Sequence, residues 1–155
     1  MNNRRDKDGE KSTIVPIKME KLKEAFNFSS DDVTHYLNIK LGKIAMHSNF
    51  GGAFDEEGHP IRESNPFDKD HYIEIPGILY YEAYRDMERF TQTVTDTSLQ
   101  KKLRKAIAGK GAFRRFAVIL LDHPEERERW ANFQEECIRE RIFKWLEENN
   151  LELGD

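Results

Sequence analysis

The sequence predicts an α+β fold in which a small three-stranded antiparallel meander packs against a helical C-terminal half. Three observations predict it. Between residues 33 and 75 apolar side chains alternate at period two and are broken by turn residues. From residue 79 to 146 apolar side chains recur every three or four positions, with capping residues between the runs. The chain has 155 residues, the length of one ordinary domain.

Residues 1–13 hold no apolar side chain after Met1, so they cannot bury enough surface to offset the entropy of ordering. A disordered tail over 1–15 is expected, then a single domain over 16–150 and a short tail over 151–155. After Pro16, the spacing of Met19, Leu22 and Phe26 predicts a short amphipathic helix closed by Asn27. Residues 33–48 alternate around Lys40-Leu41-Gly42 and predict a hairpin. Pairing Ile39 with Ile44 sets Val33, Leu37, Ile39, Ile44 and Met46 on one face, whereas a slip by one residue would put Lys43 and Ala45 opposite Ile39 and Leu37, so the first register is expected on burial. Residues 49–70, rich in Gly, Pro, Asn and Asp, read as a long loop that is mobile, functional or both. Residues 71–75 read as the third strand, with Ile73 and Ile75 inward and Pro76-Gly77 ending it.

Four helices follow. Ala83, Met87, Phe90 and Val94 stripe the first. Leu99, Leu103, Ala106 and Ile107 stripe the second, which has N-cap residues at Asp96-Thr97-Ser98 and Gly109 at its end. The third starts at Gly111, with Phe113, Phe116, Ala117, Leu120 and Leu121 as its apolar face. The last is long: Pro124 and two acids sit in its first turn, and its stripe runs from Trp130 to Leu146. Trp130, Trp145, Phe90, Phe113 and Phe116 are the expected core aromatics.

The net charge is -4, but it is unevenly spread. Residues 1–15 carry four bases and three acids, residues 16–96 nine bases and fifteen acids, and residues 122–155 five bases and eleven acids. Residues 97–121 carry seven bases, Lys101, Lys102, Arg104, Lys105, Lys110, Arg114 and Arg115, and no acid. The chain is acidic with one basic island. No run of 18 apolar residues exists and the polar start has no apolar signal core, so no membrane association and a cytoplasmic location are the expectation. The single Cys137 excludes an internal disulfide and, without a CxxC spacing, argues against a zinc ribbon.

The most distinctive stretch is Gly109-Lys110-Gly111-Ala112-Phe113-Arg114-Arg115-Phe116, followed by Pro124, Trp130, Phe133 and Trp145-Leu146. This pattern resembles an uncharacterised protein family of small bacterial proteins. The family's hallmark is a GAFRRFK-like block, then a Trp-containing helix and a Trp-Leu pair near the C-terminus. The resemblance spans residues 17–150 and includes the hairpin, the Ile-Pro after the third strand and Glu82-Ala83-Tyr84. Ala117 stands where the family has Lys, and the 49–70 loop is longer. The resemblance implies a fold and brings no activity, cofactor or partner with it.

The island itself points to anions. A helix starting at Gly111 already places roughly half a positive charge at its first turn, and Lys110, Arg114 and Arg115 add three full charges there. Something negative should answer them. Acids of this chain, such as Glu125, Glu126 or Glu128, are one answer. An outside anionic ligand or acidic protein segment is the other, with Arg suited to bidentate capture. The leading expectation is a non-enzymatic binding or adaptor protein with Lys110, Arg114 and Arg115 as its anion-binding corner, no cofactor, and an open oligomeric state. A nucleic-acid partner is disfavoured, because acidic blocks flank the island on both sides; a weak nucleic-acid binder stays as an alternative.

Signs of catalysis are sparse. HExxH, GxSxG, Walker A and GxGxxG spacings are missing. His35, His47, His59 and His71 recur every twelve residues, but in the hairpin register His35 and His47 point to opposite faces. Asp68-Lys69-Asp70-His71 with Glu74 is the better candidate for a divalent cation, and a metal-dependent hydrolase using residues 68–74 is the alternative reading.

Overall fold

The computed structural model describes residues 12–154, so most of the expected N-terminal tail lies outside the described residues. In chain order the elements are β1 (Thr13–Val15), α1 (Met19–Phe28), β2 (Val33–Asn38), β3 (Lys43–Ser48), β4 (Gly52–Phe54), β5 (Pro60–Ile61) and β6 (Tyr72–Ile75). They are followed by α2 (Tyr80–Gln92), α3 (Thr97–Ala106), α4 (Ala112–Leu121), α5 (Pro124–Glu148) and β7 (Leu151–Leu153). Internal contacts of the described residues gather in two compact units. One unit comprises the described residues up to Ile78 together with those from Arg141 on, and the other Leu79–Glu140.

The first unit holds both sheets. The larger is antiparallel throughout, with strand order β5-β4-β3-β2-β6. The α+β class stands, but the sheet has five strands where three are expected, and it is not a simple meander. β6 pairs with β2, which places β2 at the centre. The two added strands lie in the stretch read as a loop. Asp55 closes their turn: its Oδ1 accepts from the backbone N–H of Glu57 at 2.9 Å and of His59 at 2.8 Å, and Gly58 supplies a φ of 82°. Strands of three and two residues are too short for alternation to show in sequence.

The β2–β3 hairpin keeps the expected faces in a different register. Leu37, not Ile39, opposes Ile44, and Asn38 opposes Lys43. A shift of two residues along one strand leaves every side chain on its face. The turn chemistry explains the shift. The Asn38 carboxamide oxygen accepts from the N–H groups of Lys40 and Leu41 at 3.1 and 3.0 Å, which starts the turn one residue earlier than the Leu-Gly dipeptide implies. Gly42 then takes a φ of 67°, and a Cβ there would fall 2.2 Å from the Pro16 carbonyl oxygen. His35 opposes Met46 and His47 opposes Thr34, so the two imidazoles are on opposite faces, as the sequence implies.

Residues 13–15 and 151–153, both expected in tails, pair instead as a parallel two-stranded sheet in which Thr13 faces Leu151 and Val15 faces Leu153. Val15 and Leu151 are buried. Each of these strands contributes one buried apolar side chain, too little to stand out from a polar context. α1 buries Leu22, Ala25 and Phe26, and the Phe26 ring meets Trp145 edge-on at 5.5 Å.

The second unit is helical. Met87, Phe90, Val94, Leu99, Leu103, Ile107, Ala112, Phe116 and Leu120 form its core, with Tyr84, Ile119, Trp130 and Phe133 packed against them. Phe90 sits among the rings of Phe116, Trp130 and Phe133, with centroids 5.2–6.3 Å apart. The expected cap of α3 is Asp96, which accepts from the N–H groups of Ser98 and Leu99. Among the expected core aromatics Phe113 is 38% exposed, its ring meeting that of Tyr80 nearly at right angles with centroids 5.0 Å apart. Ala117 and Leu121 also face outward. Among the described residues no helix is long and apolar enough to cross a membrane.

Candidate functional site

The turn between α3 and α4 is built around the C-terminus of α3, whose last carbonyls have no partner within their own helix. The hallmark block supplies one. Arg115, in the first turns of α4, reaches back and donates from Nε to the Ala106 carbonyl at 2.8 Å, from Nη2 to Ala108 at 2.7 Å and from Nη1 to Lys110. Tyr84 of α2 donates its hydroxyl to the Ile107 carbonyl at 2.7 Å. The groups that answer Arg115 within the chain are the carbonyls at the end of α3 and in the turn after it, where the helix macrodipole welcomes a cation.

The two glycines of the block make this clamp possible. Gly109 and Gly111 hold φ values of 80° and 77°, in the left-handed region. A Cβ on Gly111 would stand 3.0 Å from Nη1 of Arg115. Gly111 is the N-cap of α4, as the sequence indicates, and provides no side chain to its first amides. Ala112 and Phe116 point into the core.

The three expected anion-binding residues separate. Arg115 is consumed by the clamp. Lys110 is exposed on the turn, where its backbone carbonyl serves Arg115. Arg114 is exposed on α4, one position and about 100° away from Arg115. Among the described residues, the side chains of Lys110 and Arg114 make no hydrogen bond or ion pair, and the same holds for Lys102 and Lys105 on α3.

Arg114 borders a groove of about 430 Å³ between α3 and α4. Its floor is Ala106, Val118 and Ile119, and its rim is Lys102, Lys105, Arg114 and Arg115. An apolar floor ringed by cations suits a partner that is itself apolar with carboxylates or phosphates at its edges. The sequence reading missed Lys102 and Lys105 as rim residues. Their i, i+3 spacing on one face of α3 is the signal that could have found them.

In the first unit, the 68–74 segment is committed to itself. His71 Nδ1 and Asp68 Oδ2 are 2.6 Å apart, and that hydrogen bond holds the Asp68 carboxyl below its ordinary range. Among the described residues, no group of three His, Cys, Asp or Glu side chains converges as a metal-ligand set. The donor geometry expected of the hydrolase alternative is not assembled.

Two polar arrangements in this unit escaped the sequence reading. Glu56 accepts at 2.8 Å from the side chain of buried Asn38 and at 2.7 Å from the Tyr72 hydroxyl. Burial works to raise the Glu56 carboxyl, yet the two donated bonds outweigh it and hold the group below its ordinary value. Burial and the Glu56 hydrogen bond push the Tyr72 hydroxyl up to about 12. The Phe67 ring stacks on Tyr36 at 4.3 Å and meets Tyr72 edge-on. Separately, His35 Nδ1 lies 2.9 Å from the Ser29 hydroxyl, which is also 2.8 Å from the Ala25 carbonyl oxygen. Burial pulls the His35 pKa down. His35 lines a cavity of about 400 Å³ together with Lys21, Glu24, Lys43 and Glu56, a rim of balanced charge.

Comparison with known proteins agrees with the hallmark block. Residues 13–154 match the Uncharacterised protein family (UPF0158). A UPF0158 protein of Chlamydia trachomatis serovar D is 29% identical over 140 residues, which are 88% of this chain and 41% of that one. A UPF0158 protein of Pseudomonas aeruginosa is 26% identical over 128 residues, 83% of this chain and 80% of its own length. The chain thus spans less than half of the first relative and about four fifths of the second. No solved structure matches. With nearly the whole described chain inside the match, the GAFRRF block included, the protein belongs to the Uncharacterised protein family (UPF0158).

Proposed function

We propose that this is a non-enzymatic binding protein whose α3–α4 groove receives an anionic group of a partner. Arg114, Lys102 and Lys105 supply the receiving charges. Arg115 fixes the turn that sets α4 against α3, and Lys110 adds field from the turn. The observation that carries this reading is the set of rim cations left without an internal partner among the described residues, on a stretch of chain that contains no acid. Charges that merely keep a helix soluble have no need of an apolar floor between them, whereas a binding groove does.

Calorimetric titration with a short polyglutamate peptide tests it. The wild-type chain is expected to bind, and Arg114→Glu to weaken binding about tenfold, since one attraction is replaced by one repulsion at an exposed site. Its melting temperature should stay near that of the wild type. Equal binding by the two proteins would remove Arg114 from the site and overturn the reading.

A further inference from the structure

α4 is the most apolar helix of the second unit, and it buries only one side. Ala112, Phe116 and Leu120 face the core. Val118 and Leu121 are 53% and 59% exposed, Ala117 is exposed beside them, and Phe113 is 38% exposed. On a helical projection Phe113, Ala117, Leu121, Arg114 and Val118 fall in that angular order across one outer face. From the groove an apolar strip about 12 Å long, Phe113 to Leu121, therefore continues over the top of α4, with Arg114 on its groove side. Solitary exposed apolar residues are ordinary, but a continuous strip with a cationic border marks a docking surface.

Resting on the reading proposed above, we infer that the occupant of this surface is an acidic amphipathic α-helix of a partner protein. Charge complementarity argues for the acids. Lys102, Lys105 and Arg114 stand beside the strip, and neither α3 nor α4 carries an acid to compete. The walls argue for the helix. A segment that adds as a β-strand needs unpaired backbone donors and acceptors alongside it, as a sheet edge provides, whereas α3 and α4 spend theirs internally and show side chains only. A helix satisfies its own backbone, so it asks of the groove only apolar contact in the middle and cations at the sides. Its apolar residues, spaced i, i+4 and i+7, would lie on Ala117, Val118 and Leu121, and its carboxylates would reach the rim.

The test compares three fluorescently labelled peptides on the full chain by anisotropy. One has leucines at i, i+3, i+4 and i+7 with glutamates elsewhere; the second has the same composition scrambled so that no apolar face forms; the third is polyglutamate. The amphipathic peptide is expected to bind at least tenfold more tightly than the other two, to become helical on binding by circular dichroism, and to lose that advantage with Val118→Asp. Val118 is exposed, so its substitution leaves the core untouched. Equal binding of all three peptides overturns the helical partner and leaves the anion-receiving groove standing. Failure of all three overturns both. If the protein alone sediments as a dimer that Val118→Asp dissociates, the strip is covered by a second copy and the inference falls.

Discussion

Two adjacent arginines, identical as residue types, have opposite duties. Arg115 is held by three backbone carbonyls, and Arg114 by nothing among the described residues. The consequence is a split in phenotype. Arg115→Ala should cost about 1–3 kcal/mol, because charge-assisted bonds are lost and helix-end carbonyls are left unpaired. That is several degrees in Tm for a chain of this size. Arg114→Ala should fall within about 0.5 kcal/mol of the wild type. Arg115→Lys should recover little, since an ammonium is a single point and cannot reach three carbonyls spread over five residues as the guanidinium fork does. Thermal melts of the three variants check this, and equal Tm values for the two alanine variants would refute the clamp. The block's importance was legible in sequence, and so was the need for a negative partner at its cations. Which arginine needed it was not. The partner is a set of carbonyls, which every residue has, and the choice depends on a turn geometry that two glycines make. Phe113 and Phe116 repeat the lesson: at i, i+3 they read as one face, but only Phe116 is turned far enough inward to be buried.

At the scale of the element, the five-stranded sheet carries its polar specificity at Asn38. One carboxamide starts the β2–β3 turn with its oxygen and fixes Glu56, beyond the turn, with its nitrogen. Tyr72 on the neighbouring β6 binds the same carboxylate. A Glu held below its unfolded value near 4.5 stabilises the fold above that pH, and the contribution is lost as pH falls through the lower folded value. Tyr72→Phe removes one of the two donors, so it should raise the Glu56 pKa and cost about 1 kcal/mol at neutral pH. The difference between the two proteins should shrink as the pH drops below 4.5 and Glu56 protonates. Urea melts at pH 7 and pH 3.5 measure it, and a difference that stays constant with pH would show that Tyr72 acts through packing alone. The strands themselves were legible because apolar side chains fall at even spacing along each: Val33 and Leu37 in β2, Ile44 and Met46 in β3, Ile73 and Ile75 in β6. The turn register was not, since a carboxamide that bonds its own backbone leaves no mark on the apolar pattern. β1, β4, β5 and β7, at two or three residues each, carry too few positions for any period to emerge.

For the whole molecule, the decisive quantity is the difference between net charge and local charge. A chain at -4 should repel an acidic partner, and salt, by screening that repulsion, should speed their association. An acid-free run with seven cations predicts the opposite sign, provided the partner meets the α3–α4 surface before it senses the acidic blocks. The Debye length decides between them. At about 0.1 M salt it is roughly 10 Å, shorter than the strip along α4, so the groove's own cations dominate the field a docking peptide feels. The association rate of the acidic amphipathic peptide should therefore fall as salt rises from about 0.1 to 0.5 M, while dissociation, set by apolar contact, changes little. Charge reversal at Arg114 should flatten that slope. Stopped-flow mixing across the salt series reads both rates, and an association rate that climbs with salt would mean that the molecule's average charge, not its basic island, governs what approaches it.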